Sequence, residues 1–346
     1  MKTNPGGTLM FHKKTMKVFF ALTALSTLLL TACGGTQTPP AGEITPTAAA
    51  SQGGNSSDTQ NTTPSQNDTS SDAAAPTVAP QLVVKLDGLA SELTNFDQKT
   101  EWDADDVTVN FNGSSADIKG EGCSVKNSVL NITAPGTYVL SGSFNGQVSV
   151  AVDKAEKVRL VLNNASITCS NGPAIIITSA DKVGITLADG TTNSLTDGKT
   201  YADTSDKAPN ACVFSKDDLT INGNGTLNVT ANFHNGIDTS NDLKLVSGTI
   251  NVTAKNHALK GNDSVSVFGG NITVNGGNDG IKSDTEGEAD KGFFYMNGGT
   301  LDVTAVDDGI QAVTSIRIDS GSVSFHVQDD ATNCDGSVAI AEGVVK

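Results

Sequence analysis

Five short turns carry acids, amides or histidine just before an apolar or β-branched residue. They are His234-Asn235-Gly236-Ile237, Asn256-His257-Ala258-Leu259, Asn278-Asp279-Gly280-Ile281, Asp307-Asp308-Gly309-Ile310 and Asp329-Asp330-Ala331-Thr332. If the turns stack, Asp279, Asp308 and Asp330 form a ladder of like charges, with Asp307 and Asp329 beside it. Stacked carboxylates repel unless they are protonated, hydrated or bridged by a cation. Calcium, which takes about six to eight hard oxygen ligands, is the cation that suits such a bridge. The plainer reading is an Asn/Asp turn ladder that only satisfies backbone groups. The nearby run Ser283–Lys291 offers Asp284, Glu286, Glu288 and Asp290 at alternate positions. It either completes a calcium site, contacts a ligand, or forms a solvated acidic bulge; its spacing is not that of an EF-hand. The expected metal ligands are Asp279, Asp284, Glu286, Asp307, Asp308 and Asp330.

One position beyond the apolar residue, Asp238, Lys260, Lys282, Gln311 and Asn333 share a column. Asp238, Lys260, Lys282 and Gln311 are the expected ligand-binding residues. Lys260 and Lys282, next to the acids, suit a grip on a uronate chain. Either lysine, once deprotonated, could also serve as the base of a β-elimination, although an acidic neighbourhood pushes against that state. His234, His257 and His326 fall in different columns and form no zinc constellation. No nucleophile–base pair and no phosphate loop is visible.

The elements that must position these residues repeat. The apolar column runs Val152, Ile177, Val213, Ile237, Leu259, Ile281, Ile310 and Thr332, in steps of 25, 36, 24, 22, 22, 29 and 22 residues. Six residues after most members stands another apolar residue: Val158, Val183, Leu219, Leu243, Val265, Ile316 and Val338. Only the Ile281 unit breaks the offset, where seven extra residues delay Phe294. Within each unit the pattern has period two, as in Leu243-Lys-Leu245, then Ser-Gly-Thr, then Ile250-Asn-Val252. That reads as two short strands around a Gly-bearing turn, with the column supplying a third. Three short strands in about 22 residues predict an all-β parallel β-helix, a solenoid whose rungs are ~4.8 Å apart. Residues 82–147 are expected to be an N-terminal cap and a first irregular coil, and 148–346 the regular domain. The second strand presents Thr226/Asn228/Thr230, Thr249/Asn251/Thr253 and their successors outward as a flat polar grid. That grid suits a polysaccharide or ordered water, or simply reflects the preference of exposed strands for Thr. Cys212 and Cys334 lie five rungs apart, too far for a disulfide.

The chain has 346 residues, 22 basic against 38 acidic, for a net charge of −16. That balance argues against a nucleic-acid partner, because phosphate binding needs a basic footprint. Aromatics make up 5% of residues, too few for a broad ring platform on sugars. Residues 1–33 read as an export signal: Lys13, Lys14 and Lys17, an apolar run from Val18 to Leu30, then Leu30-Thr31-Ala32-Cys33. The ending resembles a bacterial lipobox, with Cys33 as the lipidated residue; the alternative is an ordinary cleaved signal. The membrane is then touched only through this N-terminal lipid. Residues 34–81, rich in Ser, Thr, Pro and Ala and lacking any basic or aromatic residue, are expected to form a disordered tether.

Several longer strings sharpen the reading: Val158-Arg-Leu-Val-Leu-Asn-Asn-Ala-Ser-Ile, Asn193-Ser-Leu-Thr-Asp-Gly, Phe214-Ser-Lys-Asp-Asp-Leu-Thr-Ile-Asn-Gly and Asp279-Gly-Ile-Lys-Ser-Asp. From about residue 95 onward the chain resembles a family of bacterial surface lipoproteins known as carbohydrate-binding-domain-containing proteins. The resemblance implies a right-handed parallel β-helix with bound calcium, similar in fold to pectate lyases. It also implies binding of cellulose and acidic plant polysaccharides rather than their cleavage. It assigns a calcium role to Asp279, Asp284 and Asp308; Asn256-His257-Ala258 departs from the Asp-Gly pattern. The expected protein is a lipid-anchored, extracellular, calcium-dependent polysaccharide binder. The rivals are a calcium-dependent polysaccharide lyase using Lys282 or Lys260, and a purely structural stalk or adhesin. The resemblance also implies further coils and a C-terminal cap beyond the last rung seen here, so the expectation is either a truncated chain or end-to-end pairing of two copies.

Overall fold

The computed structural model describes residues 91–341, apart from 204 and 206, together with residue 344. The export signal over 1–33, lipidation at Cys33 and the tether over 34–81 lie outside the described residues.

Strands alternate along nearly the whole described chain because apolar and polar residues alternate there, so each strand can bury one face. They assemble into two sheets, one of ten strands and one of fifteen. The ten-strand sheet contains the short segments that follow the acidic turns, among them Asn235–Thr239, Leu259–Gly261, Ile281–Ser283, Ile310–Ala312 and Thr332–Cys334. Its neighbours pair in parallel, except for the first pair, Cys123–Lys126 with Val129–Ile132. That hairpin turns on Asn127 and Ser128, both at positive φ (52° and 57°), as a two-residue primed turn requires. Strands from both sheets contribute to one continuous hydrophobic core.

The register realises most of the apolar columns. Val213, Ile237, Leu259, Ile281, Ile310 and Thr332 are successive Cα partners. So are Val158, Val183, Leu219, Leu243, Val265, Phe294, Ile316 and Val338. At the start the first column slips: Val213 faces Ile175, not Ile177, and Ile175 faces Val148, not Val152. A two-residue slip keeps every side chain on its own face, so periodicity alone cannot detect it.

The expectation of an open, right-handed β-helix solenoid with three short strands per coil is corrected. The protein is all-β, but its walls form a closed two-sheet body on a ten-strand, largely parallel sheet, with extra antiparallel strands at the N-terminal end. The physical reason lies at the glycines expected to end strands. Gly298 (φ 131°) and Gly299 (φ 82°) carry the backbone through a bulge without leaving the sheet. Phe293–Ala305 is therefore one strand, pairing first with Ser264–Val267 and then with Asn271–Gly276. Ser315–Val327, Lys157–Thr168 and Gly136–Asn145 are similarly long. The strands over 107–145, within the stretch 82–147 expected as a cap and irregular coil, belong to the same two sheets as the strands that follow.

A single helical turn, Asn95–Gln98, lies against the outer side of the larger sheet. Thr94 and Asp97 form a reciprocal capping box at its start. Arg159 donates to the Phe96 carbonyl (2.7 Å) and covers the Phe96 ring at 4.4 Å. Asp97, fully buried, takes Lys182 Nζ at 3.1 Å and the Thr220 hydroxyl at 2.6 Å.

Gly280, in the turn before Ile281, is required by close approach rather than by a left-handed backbone. A Cβ there would lie 2.3 Å from Val303 Cγ1 and 2.7 Å from the Gly309 carbonyl oxygen. Gly280→Ala is expected to destabilise the fold by about 1–3 kcal/mol through overpacking. Urea unfolding measures this, and an unchanged midpoint would mean the turn gives way freely.

Candidate cation and glycan site

Two residues before each member of the apolar column, the shared register stacks Asn235, His257, Asp279, Asp308 and Asp330. Each turn is held by the one before it. Asn235 Oδ1 accepts from His257 N (3.2 Å), Asp279 Oδ1 from Asp308 N (3.3 Å) and Asp308 Oδ1 from Asp330 N (3.3 Å). The backbone-satisfying role of the ladder is thus present, but it occupies only one oxygen of each carboxylate.

The second oxygens face other groups. Asp279 Oδ2 lies 3.1 Å from His257 Nδ1 and 3.3 Å from Lys282 Nζ. Asp308 Oδ2 accepts from Asn333 Nδ2 at 2.7 Å. Asp307 joins them, so that Asp279, Asp307 and Asp308 each offer an oxygen within 4.8 Å of the others'. Asp279 and Asp308 are 1% and 3% exposed, while Asp307 is half-buried. Burial pushes the Asp279 carboxyl up, but the His257 and Lys282 contacts outweigh it and leave it below its ordinary value. Desolvation and the charges of Asp279, Asp308 and Asp329 push Asp307 up. These donors are hard oxygens converging on one point, the set a calcium-class cation selects. Three carboxylates supply up to about six oxygens, of which four already have partners: two bind backbone N–H groups, one faces His257 and Lys282, and one accepts from Asn333. An ion here would have to share or displace those contacts, with water completing the shell.

The other expected ligands stand apart from this cluster. Asp284 forms an ion pair with Lys260 (2.8 Å). Glu286 lines a 310 Å³ hollow with Lys282, Asn333 and Asp335. Asp330 is exposed, one strand beyond Asp308. The acidic run leaves the line of the sheet and folds onto the turn beneath it. Thr285 donates to Asn262 O and to Asp263 Oδ1, and Lys291 pairs with Asp263 and Glu288.

The ligand column is aligned as expected: Asp238 partners Lys260, Lys260 partners Lys282, Lys282 partners Gln311, and Gln311 partners Asn333. Lys282 Nζ also donates to Gln311 Oε1. Asp238 is buried and accepts from Asn235 Nδ2 at 2.6 Å. Desolvation pushes its carboxyl up, against the pull of Lys260. Sequence reasoning missed His257 as a partner of Asp279, and missed Lys154, Lys207 and Lys216. With Lys260 these three surround a 510 Å³ hollow floored by Phe214. No local signal marks them, because they come from three separated segments.

On the larger sheet the polar grid is in register: Thr226, Thr249, Asn271, Thr300 and Ser322 are successive partners. Its side chains bond along the stack, as in Asn251 Nδ2 to Asn228 Oδ1 (2.9 Å) and Ser324 Oγ to Asp302 Oδ1 (3.0 Å).

Comparison with known proteins places this geometry. The profile of the family described as "Carbohydrate-binding domain-containing protein" matches residues 126–346. A protein of that description from Acetivibrio thermocellus is 46% identical over 226 residues, covering 64% of this chain and 79% of its own. Among solved structures, a polysaccharide lyase-like protein from C. thermocellum, determined as a gadolinium derivative, superposes with a TM-score of 0.68 at 43% identity. That match covers 69% of this chain and 98% of the other.

Proposed function

Because the chain belongs to the family of carbohydrate-binding domain-containing proteins, we propose that it is a polysaccharide receptor of the cell exterior, anchored by a lipid on Cys33 and dependent on calcium for its grip. Carbohydrate binding follows from the family; the calcium, the anchor and the polymer are the parts proposed. The carrying observation is the convergence of Asp279, Asp307 and Asp308 beside a column that holds Lys260 and Lys282. Carboxylates hold the ion, and the ion accepts carboxylates or hydroxyls of the polymer, inverting the local charge of an acidic protein. The lysines take further acidic groups. A plant cell-wall glycan, either a pectin-like uronate polymer or cellulose, suits this pairing.

Retention of the purified protein on polygalacturonate and on cellulose, with calcium and with chelator, tests the reading. Retention on at least one polymer is expected in calcium, with about tenfold or greater loss in chelator. Lys260→Ala and Lys282→Ala together should weaken uronate retention further, by about two- to tenfold for each lost charge-assisted contact. Retention on polygalacturonate that ignores the chelator would overturn the calcium role.

The name of the related structure favours one second reading, a polysaccharide lyase. Both candidate bases are engaged as cations here, Lys260 with Asp284 and Lys282 with Asp279. Ultraviolet absorbance of an unsaturated uronide product, lost in Lys282→Ala, is the signature that reading requires.

A further inference from the structure

The apolar column takes its longest step, 36 residues, before Val213. Of the extra residues, Tyr201, Ala202, Asp203 and Pro209 lie beside the turns that lead into the strands Val129–Ile132, Gln147–Ala151 and Ile175–Ser179, and together they line a half-open cavity of 710 Å³. That volume falls within the ~300–1,000 Å³ of small-molecule pockets. It lies at least four strands along the ten-strand sheet from Ile281–Ser283, roughly 19 Å at the interstrand spacing.

One wall is held rigidly. The Tyr201 hydroxyl donates to Asp197 Oδ2 at 2.7 Å and sits 2.8 Å from the Ala211 carbonyl, and its ring stacks on Phe233 at 4.2 Å. Ala202 N donates to the Asn171 carbonyl (2.8 Å), tying the inserted segment to the turn it faces. Gln147 also lines the cavity, and its Nε2 donates to Pro173 O at 3.0 Å. Asn127, Asn145 and Asn171 add three more side-chain amides, and Thr168 and Ser170 add hydroxyls. Ile176, Pro173 and Pro209 give the lining its apolar patches. Among the lining residues Asp203 alone is charged, and no lysine or arginine is present.

Amides that both donate and accept, interleaved with apolar surface, match a ring bearing several hydroxyls on an apolar skeleton. A polyanion would find no cation here and would meet Asp203, on a chain of net charge −16. We propose that this cavity is a second glycan site, which takes the end or a branch of an uncharged oligosaccharide without a metal ion. The proposal rests on the carbohydrate-binding reading above, but not on calcium or on the acidic cluster.

Calorimetric titration of the intact chain with cellohexaose, xylohexaose and mannohexaose, all in chelator, tests it. At least one should bind. Gln147→Ala should weaken that binding about fivefold, the range of one lost hydrogen bond. Ala202→Trp, at an exposed position, should fill the cavity and abolish binding without lowering the unfolding temperature. Absence of binding by all three sugars, or binding untouched by both variants, overturns the site. Retention of the same variants on polygalacturonate in calcium separates the two readings. If that retention survives while the neutral sugars fail, the cavity assignment alone falls. If it is lost in the native protein while neutral sugars still bind in chelator, the cavity stands and the acidic-cluster reading falls.

Discussion

Replacing Asp97 by alanine is expected to destabilise the protein by about 3 kcal/mol, the lower end of the cost of removing one partner from a buried ion pair. Asp97 is wholly buried, and two lysines that are themselves 7% and 8% exposed depend on it. Lys182 Nζ lies 3.1 Å from Oδ1 and Lys244 Nζ 4.0 Å from Oδ2. The same carboxylate accepts the Thr94 N–H at 2.9 Å and the Thr220 hydroxyl at 2.6 Å. Without it both ammonium groups stay desolvated, with Asp218, 3.7 Å from Lys182, and the Glu92 carbonyl, 2.8 Å from Lys244, as the partners that remain. The loss has a ceiling: once it exceeds the docking free energy of the segment around Asn95–Gln98, that segment lifts and the lysines rehydrate. Chemical denaturation reads the total, and hydrogen exchange at Gln98 and Lys99, whose N–H groups bond to Thr94 O and Asn95 O within the segment, reads the lifting. A variant within about 0.5 kcal/mol of the parent would mean that Asp97 carries no such burden.

The pH dependence of this contact has a definite sign. Burial pushes the Asp97 carboxyl up, but bonds from Thr220 and Thr94 and the charge of Lys182 prevail, leaving it at about 2 against an ordinary 3.8. A depressed carboxyl contributes stability that is fully present above its unfolded value and is lost as pH falls through the folded one. The contribution is about 2 kcal/mol at neutral pH, at ~1.4 kcal/mol per unit. The stability gap between the parent and Asp97→Asn should therefore hold from pH 7 to about pH 4 and narrow toward pH 2. A gap that stays constant across that window would assign the effect to shape rather than charge.

None of this contact was legible in the sequence, because Lys182 stands 85 residues from Asp97 and no periodic signal links them. What was legible depended on repetition. From Val158 onward one strand recurs beside its predecessor, so a fixed offset in sequence becomes a fixed place in space. That is why Asp279 and Asp308, each two residues before the apolar column, were found together. Asp284 and Glu286 escaped the same logic because their run departs from the ladder, and its path is set by contacts to Asn262 and Asp263. His257 was discounted as a break in the Asp-Gly pattern, yet the ladder places it 3.1 Å from Asp279. The strand count failed for a different reason. Glycine reads as a turn in sequence, but Gly298 and Gly299 use their positive φ to keep two segments in one strand, and the expected open solenoid gave way to one closed two-sheet body.

Calcium is expected to raise the unfolding temperature of the native chain by about 5–10 °C when present at a hundredfold its dissociation constant. Saturation of that degree stabilises by about 2.7 kcal/mol, and a domain of this size moves about 2–4 °C per kcal/mol. The informative variant is Asp308→Asn, because the two readings of the ladder give it different dependences on calcium. As a backbone cap alone, Asp308 can be replaced by an amide oxygen that still accepts from Asp330 N, so the effect would be small and the same in every buffer. As a cation ligand packed against Asp279 and Asp307, it adds repulsion when the ion is removed. In chelator the variant should then be as stable as the parent or more so, and in calcium it should fall below the parent by most of the calcium gain. Ligands must be deprotonated to bind, so the calcium effect should fade with acidification. Asp307, whose carboxyl is pushed up by desolvation and by Asp279, Asp308 and Asp329, should take up its proton early in that descent. Differential scanning calorimetry of both proteins in the two buffers decides the matter. An equal deficit for Asp308→Asn in chelator and in calcium would leave the ladder as a turn device with no metal role.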